Sequence, residues 1–278
     1  MEEERLLEMA LMVFILSIIL SSAALIPLGV KWEIEKRVII PSALVIGILA
    51  GMVIYGLVML RDLSFFQIMV ADIFLIAAIT ISLLLWRFYR DPERIPPDDE
   101  NGILSPADGK IIYVKKIEKG SIPFSEKNGK KFSLNDFVHC DVLPKGGHLI
   151  GIAMSYLDVH VNRAPIRGKI SLLKHIKGLF ISLKKKEAII QNERVFSVID
   201  NGLFKVGIVQ IASRLVRKIV PYIRQGHEVQ RGERIGVIRF GSQVDLILPD
   251  MPTLHIEIRP GERVKAGMSI IACFEGTE

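Results

Sequence analysis

Cysteine is scarce in this chain. Cys140 and Cys273 are the only two, and neither sits in a CxxC or other metal-type spacing. That excludes a zinc ribbon or a disulfide-stapled scaffold and fits free thiols in a reducing compartment. Histidine is limited to six residues. His139 and His148 flank a stretch containing Asp141 and Gly146-Gly147, but no convincing third ligand accompanies them, so no metal is expected. Charge is missing regionally: Glu8 and Asp72 are the only acidic or basic residues within 7–28, 38–60 and 65–86.

Those three apolar runs are each long enough to cross a hydrocarbon core of about 30 Å as a helix. A cleaved signal peptide would account only for the first, and Glu2, Glu3 and Glu4 give it the wrong flank. Three membrane helices are therefore expected over residues 1–90. Lys31, Lys36 and Arg37 fall in the first connection, and Arg87, Arg90 and Arg94 follow the third run, against Arg61 alone in the second connection. The positive-inside rule then places the first connection and the remainder of the chain in the cytoplasm. Asp72, inside the third run, is expected to be protonated or paired between helices. The net charge of +6 fits an anionic surface. With membrane segments present, that surface is lipid and not nucleic acid.

Residues 91–101 are polar and rich in proline, and the domain boundary is expected there. Beyond them, short apolar clusters separated by Gly, Pro and charge predict a mainly β domain. One helix is expected near Ile211–Tyr222. Two repeats stand out. Pro106-Ala-Asp-Gly-Lys-Ile111 returns as Pro165-Ile-Arg-Gly-Lys-Ile170, and Gly226…Gly232 returns as Gly261…Gly267. Matched glycines suit repeated tight turns. Both repeats look like the turns of a lipoyl- or biotinyl-type β-hammerhead (barrel-sandwich). No lysine lies between two methionines at a hairpin tip, so a carrier role is not implied.

The chain is organised around Arg239-Phe240-Gly241-Ser242-Gln243-Val244-Asp245. Apolar residues alternate on both sides of Gly241-Ser242, which reads as strand, break, strand. A β-bulge accounts for such a glycine, and so does a site where a Ser hydroxyl attacks the preceding carbonyl. Phe240-Gly241-Ser242-Gln243-Val244-Asp245 resembles the self-cleavage site of the phosphatidylserine decarboxylases. Ser105-Pro106-Ala107-Asp108-Gly109-Lys110, Asp158-Val159-His160-Val161-Asn162-Arg163-Ala164-Pro165, Asn192-Glu193-Arg194 and Val209-Gln210-Ile211-Ala212 fit the same family in its order. The short catalytic region is similar to the branch containing archaeal archaetidylserine decarboxylases.

The resemblance implies a precursor that splits into a β chain, 1–241, and an α chain, 242–278, leaving a pyruvoyl group on residue 242. That group would form a Schiff base with the amine of an anionic serine phospholipid and act as electron sink for decarboxylation. It further implies Ser242 as nucleophile and His160 as proton-transfer residue. Asp108 is either an orienting carboxylate for a histidine or an Asx turn. The better-known branch has a second histidine where this chain has Arg163, and arginine cannot act as a base at ordinary pH. Either His160 serves both steps, or cleavage relies on strain and oxyanion stabilisation. Arg163 is a candidate for the lipid phosphate or a solvated turn residue. Phe180 lies in the lysine-flanked run 174–186, a candidate substrate or lipid contact. A second copy of the chain is an admissible partner.

Two other readings compete. Leu254-His255-Ile256-Glu257 faintly resembles the metal strand of lysostaphin-type zinc peptidases, without their second histidine. A membrane-anchored hammerhead adaptor would treat Gly241-Ser242 as a bulge only.

Overall fold

The computed structural model describes residues 2–32, 34–118, 124–127, 130–133, 146–176, 193–212, 218–239 and 243–275. Phe240, Gly241 and Ser242 lie outside the described residues, as do His139, Cys140, Asp141, Asn192 and Phe180. The chain divides into two units, Met1–Phe88 and Tyr89–Glu278.

In the first unit the apolar runs form α1 (Glu2–Lys31), α2 (Lys36–Leu60) and α3 (Phe65–Tyr89), each long and apolar enough to cross a membrane. Small residues on α2 allow α1 to approach closely. A Cβ added at Gly47 would lie 2.8 Å from the Ile18 Cα, and one at Gly51 would lie 2.8 Å from the Phe14 ring. Ser21 Oγ donates to the Ala43 carbonyl at 2.8 Å. Close van der Waals packing and interhelical hydrogen bonds are what join helices in lipid, where no hydrophobic drive exists between them. Val13, Ile54 and Ile68 bring one buried side chain from each helix into a shared cluster. Asp72 is 1% exposed, inside the bundle.

The second unit is mainly β. Its strands are β1 (Gly102–Leu104), β2 (Gly109–Ile117), β3 (Phe124–Lys127), β4 (Lys130–Ser133), β5 (Gly147–Ala153), β6 (Val161–Arg163), β7 (Gly168–Ile176) and β8 (Arg194–Asp200). They continue with β9 (Lys205–Ile211), β10 (Lys218–Pro221), β11 (Glu228–Val229), β12 (Arg234–Arg239), β13 (Gln243–Pro249), β14 (Leu254–Ile256), β15 (Arg263–Val264) and β16 (Ile270–Phe274). An eight-stranded curled sheet runs β11-β7-β8-β9-β13-β5-β2-β15, flanked by three-stranded sheets β1-β16-β14 and β10-β12-β6.

The order of the large sheet is a palindrome about β9 and β13, because the sequence repeats fold into two interlocked hammerheads. Leu104 N–H donates to Pro165 O at 3.0 Å, and reciprocally Arg163 N–H donates to Pro106 O at 2.9 Å. Ile111 N–H bonds Glu262 O as Ile170 N–H bonds His227 O, both at 2.8 Å. Gly109 and Gly168 share φ values of 149° and 153°. A Cβ at either would strike a carbonyl of the next strand, that of Ala153 or Asp200. Only glycine tolerates both the angle and the approach.

The inner face of the curled sheet carries the main core, to which β13 contributes Val244, Leu246 and Leu248. A smaller cluster, including Leu149, Phe196, Val209 and Ile247, covers the opposite face. Every residue of β13 is buried.

Two expectations are corrected. Of the helix expected near Ile211–Tyr222, residues 213–217 lie outside the described residues, but Lys218–Pro221 is a strand paired with β12. Ile219 is buried in the main core, and Pro221, lacking an N–H, is accommodated on an edge strand. Residues 91–101 are not a free linker either. They belong to the second unit, strapped to it by arginines. Arg234 binds Asp91 at 2.6 Å and Glu93 at 2.7 Å, and Arg231 donates to the carbonyls of Pro97, Asp99 and Gly102.

Candidate active site

β6 is short, but it fixes the side chains around it by alternation. It pairs with β12, Val161 opposite Val237 and Asn162 opposite Gly236, and Ile238 N–H donates to His160 O at 3.1 Å. His160 therefore sits beside the last residues of β12, from which residues 240–242 lead to β13. Asn162 Oδ1 accepts from Gln210 Nε2 at 2.7 Å. Gln210 is opposite Val244 on β13, so paired side chains there share the inner face. His160 and Asn162, two residues apart, are thus directed to the inner face at the row where β13 begins.

The His160 ring is 1% exposed. Its Nδ1 lies 2.8 Å from the Asp158 carbonyl. Donation from Nδ1–H to that acceptor leaves the lone pair on Nε2, the form a general base requires. Burial lowers the pKa of the ring to about 4. The Asp158 carbonyl and then the charges of Asp158 and Asp108 oppose that shift without cancelling it. The ring is consequently neutral at ordinary pH. The loop before it is braced throughout. Asp158 Oδ2 accepts from Ser155 N–H at 2.7 Å, and Arg90 donates to Leu157 O at 3.0 Å.

Asp108 does not bond the histidine ring. Arg94 grips it with two bonds of 2.5 and 2.8 Å, and its oxygens also accept from Ala266 N–H at 2.8 Å and Val159 N–H at 3.3 Å. It touches the chain next to His160 only through the backbone of Val159. Arg163 is 4% exposed, and alternation turns it away from His160. It donates to Gly232 O at 2.9 Å, Pro92 O at 3.0 Å and Asp91 at 3.4 Å, and its stem covers Gly267. Arg163 is not a solvated turn residue but a buried clamp on the strap. Burial and then the nearby Arg234 charge lower its pKa.

Tyr113 was not legible as a site residue. Its hydroxyl donates to Asp245 Oδ2 at 2.8 Å and accepts from Gln243 Nε2 at 3.0 Å, while Gln243 Nε2 also bonds Asp245 Oδ1 at 2.8 Å. Its ring occupies the space left by Gly151, where any Cβ would collide with it. This closed network fixes the residue next to 242. Asp245 stood inside the motif run, but no local pattern joins it to a tyrosine on β2. Glu193, from another of the motif stretches, bonds His175 at 2.6 Å and Ile219 N–H at 3.2 Å; it precedes Arg194, which shares a row with Ile211 and Gln243, and Ile219 pairs with Ile238 beside His160. His255 is exposed, 3.8 Å from Glu275.

The sequence model of the phosphatidylserine decarboxylase family matches residues 81–272. A candidate archaetidylserine decarboxylase proenzyme of Methanocaldococcus jannaschii is 43% identical over 72% of this chain and 94% of its own length. A second, from Methanothermobacter thermautotrophicus, is 40% identical over 70% of this chain and 82% of its own. The phosphatidylserine decarboxylase proenzyme of Pelodictyon phaeoclathratiforme is 37% identical over 67% and 77%. This chain belongs to the phosphatidylserine decarboxylase family.

Proposed function

We propose that this chain is a self-processing, pyruvoyl-dependent decarboxylase. It converts a serine phospholipid, phosphatidylserine or archaetidylserine, to the ethanolamine phospholipid and CO2. The observation that carries the reading is a buried, neutral His160 beside the strand end from which residues 240–242 depart.

In the processing step Ser242 Oγ attacks the Gly241 carbonyl carbon and gives its proton to His160 Nε2. The Gly241–Ser242 C–N bond then breaks, the nitrogen takes a proton, and an ester joins the two residues. Loss of the Cα proton of residue 242 expels the Gly241 carboxylate. The dehydroalanine so formed tautomerises to an imine, its Cβ taking a proton from the nitrogen, and water replaces that nitrogen, which leaves as ammonia. The residues present suit the product, since Tyr113 and Asp245 hold the Gln243 side chain and β13 is buried along its length. The pyruvoyl group supplies an electrophilic carbonyl that condenses with the substrate amine and takes up the electron pair released with CO2. His160 Nε2 takes up the proton that the substrate ammonium loses on condensation and returns it to the carbon that has lost CO2.

The two chains stay together. Val244, Leu246, Ile247, Leu248, Leu254, Val264 and Ile271 of the α chain are all buried. Together they contribute roughly 10–20 kcal/mol. That offsets an association cost of about 4–15 kcal/mol, and the ladders to β5, β9, β2 and β1 add to it.

We further propose that α1, α2 and α3 span the membrane and that residues 91–278 are cytoplasmic, on the loop charges given above. Protease added to sealed, right-side-out cells should spare that domain; digestion from outside would reverse the topology. For the chemistry, intact mass of the purified protein should show two chains, the smaller starting at residue 242. A wild-type protein that decarboxylates its lipid while remaining a single chain would refute the mechanism.

A further inference from the structure

The carbonyl that meets the His160 ring belongs to a peptide group with a second bond. His160 Nδ1 lies 2.8 Å from the Asp158 carbonyl oxygen. That oxygen can only accept, so Nδ1 carries the hydrogen. The Asp158 carbonyl and the Val159 N–H are the two poles of one peptide. A trans peptide is planar, and its C=O and N–H point in opposite directions. On the side away from the ring, Val159 N–H donates to Asp108 Oδ2 at 3.3 Å. Carboxylate, peptide and imidazole therefore form one continuous run of hydrogen bonds. An anionic acceptor on the N–H polarises the peptide and strengthens its carbonyl as an acceptor.

The strap holds this run in place. Arg94 spans both Asp108 oxygens, at 2.5 and 2.8 Å, and Ala266 N–H donates to Oδ1 at 2.8 Å. With Val159 N–H, these donors fill the acceptor sites of a carboxylate. Arg94 is itself aimed by a bond of 2.7 Å to Ala266 O. Earlier on the same strap, Arg90 donates to Leu157 O at 3.0 Å. Strap arginines thus act on the chain to either side of the 158–159 peptide. The Arg94 and Asp108 side chains are 7% and 9% exposed. A buried ion pair seldom stabilises a fold more than apolar residues of the same volume would, so this one calls for a reason beyond packing.

The other hammerhead shows that the fold does not demand it. The reciprocal bonds at Leu104 and Arg163 make position 104 the equivalent of 163. Asn101 is then the equivalent of His160, Asp99 of Asp158, and Arg167 of Asp108. Asn101 and Arg167 are both exposed, and the Asp99 carbonyl accepts from Arg231. A carboxylate behind the peptide occurs only in the half that carries the histidine.

We infer that Arg94 is a positioning residue for His160. It holds the Asp108 carboxylate on the Val159 N–H, and the carbonyl of that same peptide holds the imidazole in its Nδ1–H tautomer. The lone pair is thereby kept on Nε2, where proton transfer needs it. The inference rests on the proton-transfer role proposed for His160. An acid–base triad sets the tautomer by direct contact between carboxylate and ring. Here one peptide group lies between them, and an arginine of the strap fixes the carboxylate.

The test uses the full chain in lipid nanodiscs, with isotope-labelled histidine and melting measured in parallel. The Ser242→Ala background keeps the chain uncut for spectroscopy, and adding His160→Gln identifies the His160 signals by their loss. Ring-nitrogen shifts at mildly alkaline pH, where the ring is neutral, report the tautomer. The uncut reference should show His160 as the Nδ1–H form alone. Arg94→Lys keeps the counter-charge beside buried Asp108, so the fold is retained, but one ammonium cannot reproduce the two-pronged grip. His160 should then populate both tautomers. Arg231→Lys makes the same change at a strap clamp that does not touch Asp108, and the ring should stay as in the reference. In chains free to split, synthesised without cells and followed by intact mass, Arg94→Lys should slow splitting about 10- to 10²-fold, the scale of a small misplacement. An Nδ1–H ring undisturbed by Arg94→Lys overturns the assignment. So does an equal tautomer mixture in Arg231→Lys, which would mark general loosening of the strap. A ring that changes tautomer while splitting keeps its wild-type rate would instead strike at the role proposed for His160 itself.

Discussion

The two halves of the β domain begin from the same plan and part at one connection. In one half β8 turns directly into β9 through Asn201–Phe204. There Asn201 Oδ1 caps the N–H groups of Leu203 and Phe204 at 2.9 Å each, and Gly202 takes a φ of 89°. In the other half, the strand equivalent to β9 is β13, and Gln243 is the equivalent of Lys205. β13 is not reached by a hairpin from β5. It is entered from β12, out of a different sheet, through residues 240–242. The fold alone therefore needs no break before β13, since its twin closes with an ordinary turn. The symmetry is also lost in chemistry at this row: His160, Asn162 and Gln210 are buried, whereas the equivalent of His160 is the exposed Asn101.

The most severe way to erase this asymmetry is Ser242→Ala, which should leave the precursor as one chain with no decarboxylation of serine phospholipid. Two-chain material from that variant on intact mass would exclude Ser242 as the nucleophile. Next in size is His160→Ala. Decarboxylation should slow by roughly 10²- to 10⁴-fold, the range for losing a general acid or base. Splitting should slow as well, since the proposed mechanism uses this one imidazole in both steps. Full splitting beside failed decarboxylation, read by mass and by CO2 release, would confine His160 to the lipid reaction.

A smaller effect separates Asp108 from its equivalent, Arg167. Asp108 is buried and bonded by Arg94, Val159 and Ala266, whereas Arg167 is exposed. Asp108→Asn leaves a buried guanidinium without its counter-charge and should cost about 3–5 kcal/mol, as breaking one side of a buried pair does. Arg167→Asn should cost less than about 0.5 kcal/mol. Urea unfolding of both variants in the Ser242→Ala background measures the contrast. Equal midpoints would mean that the strap adds nothing to the site.

Much of this was legible in the sequence because its signals are local. Long uncharged runs gave α1 to α3, and glycines at matched spacing marked the hammerhead turns at Gly109 and Gly168. What was not legible depends on partners far along the chain. Residues 91–101 look like a linker because their charges and prolines suit solvent, and only the fold brings Arg163, Arg231 and Arg234 onto them. Lys218–Pro221 is a strand because β12 and the core recruit it, against a local pattern that suits a helix. Arg163 stood where a histidine was expected, and strand alternation, not residue type, decided which neighbour faces inward. Tyr113 enters the site through a gap left by Gly151, which no spacing within β2 reveals.

The finest separation of the halves is by pH, since His160 titrates where Asn101 cannot. Burial pulls the His160 pKa from its ordinary 6.5 to about 4 in the folded protein. The folded state therefore favours the neutral ring, while an unfolded chain takes up a proton on falling through about 6.5. The sign follows: the contribution is fully present above pH about 6.5, declines as the pH falls, and is gone below about 4. Its size is roughly 3 kcal/mol. Two consequences can be measured. The self-cleavage rate should keep its neutral-pH value down to about pH 5 and acquire its acid limb near 4, as long as the domain stays folded. In the uncut Ser242→Ala background, adding His160→Gln should remove about 3 kcal/mol from the stability lost between pH 6.5 and 4. Parallel stability curves for the two proteins across that window, or an acid limb near 6.5, would mean that the ring is solvated and that the site half is no more buried at this position than its twin.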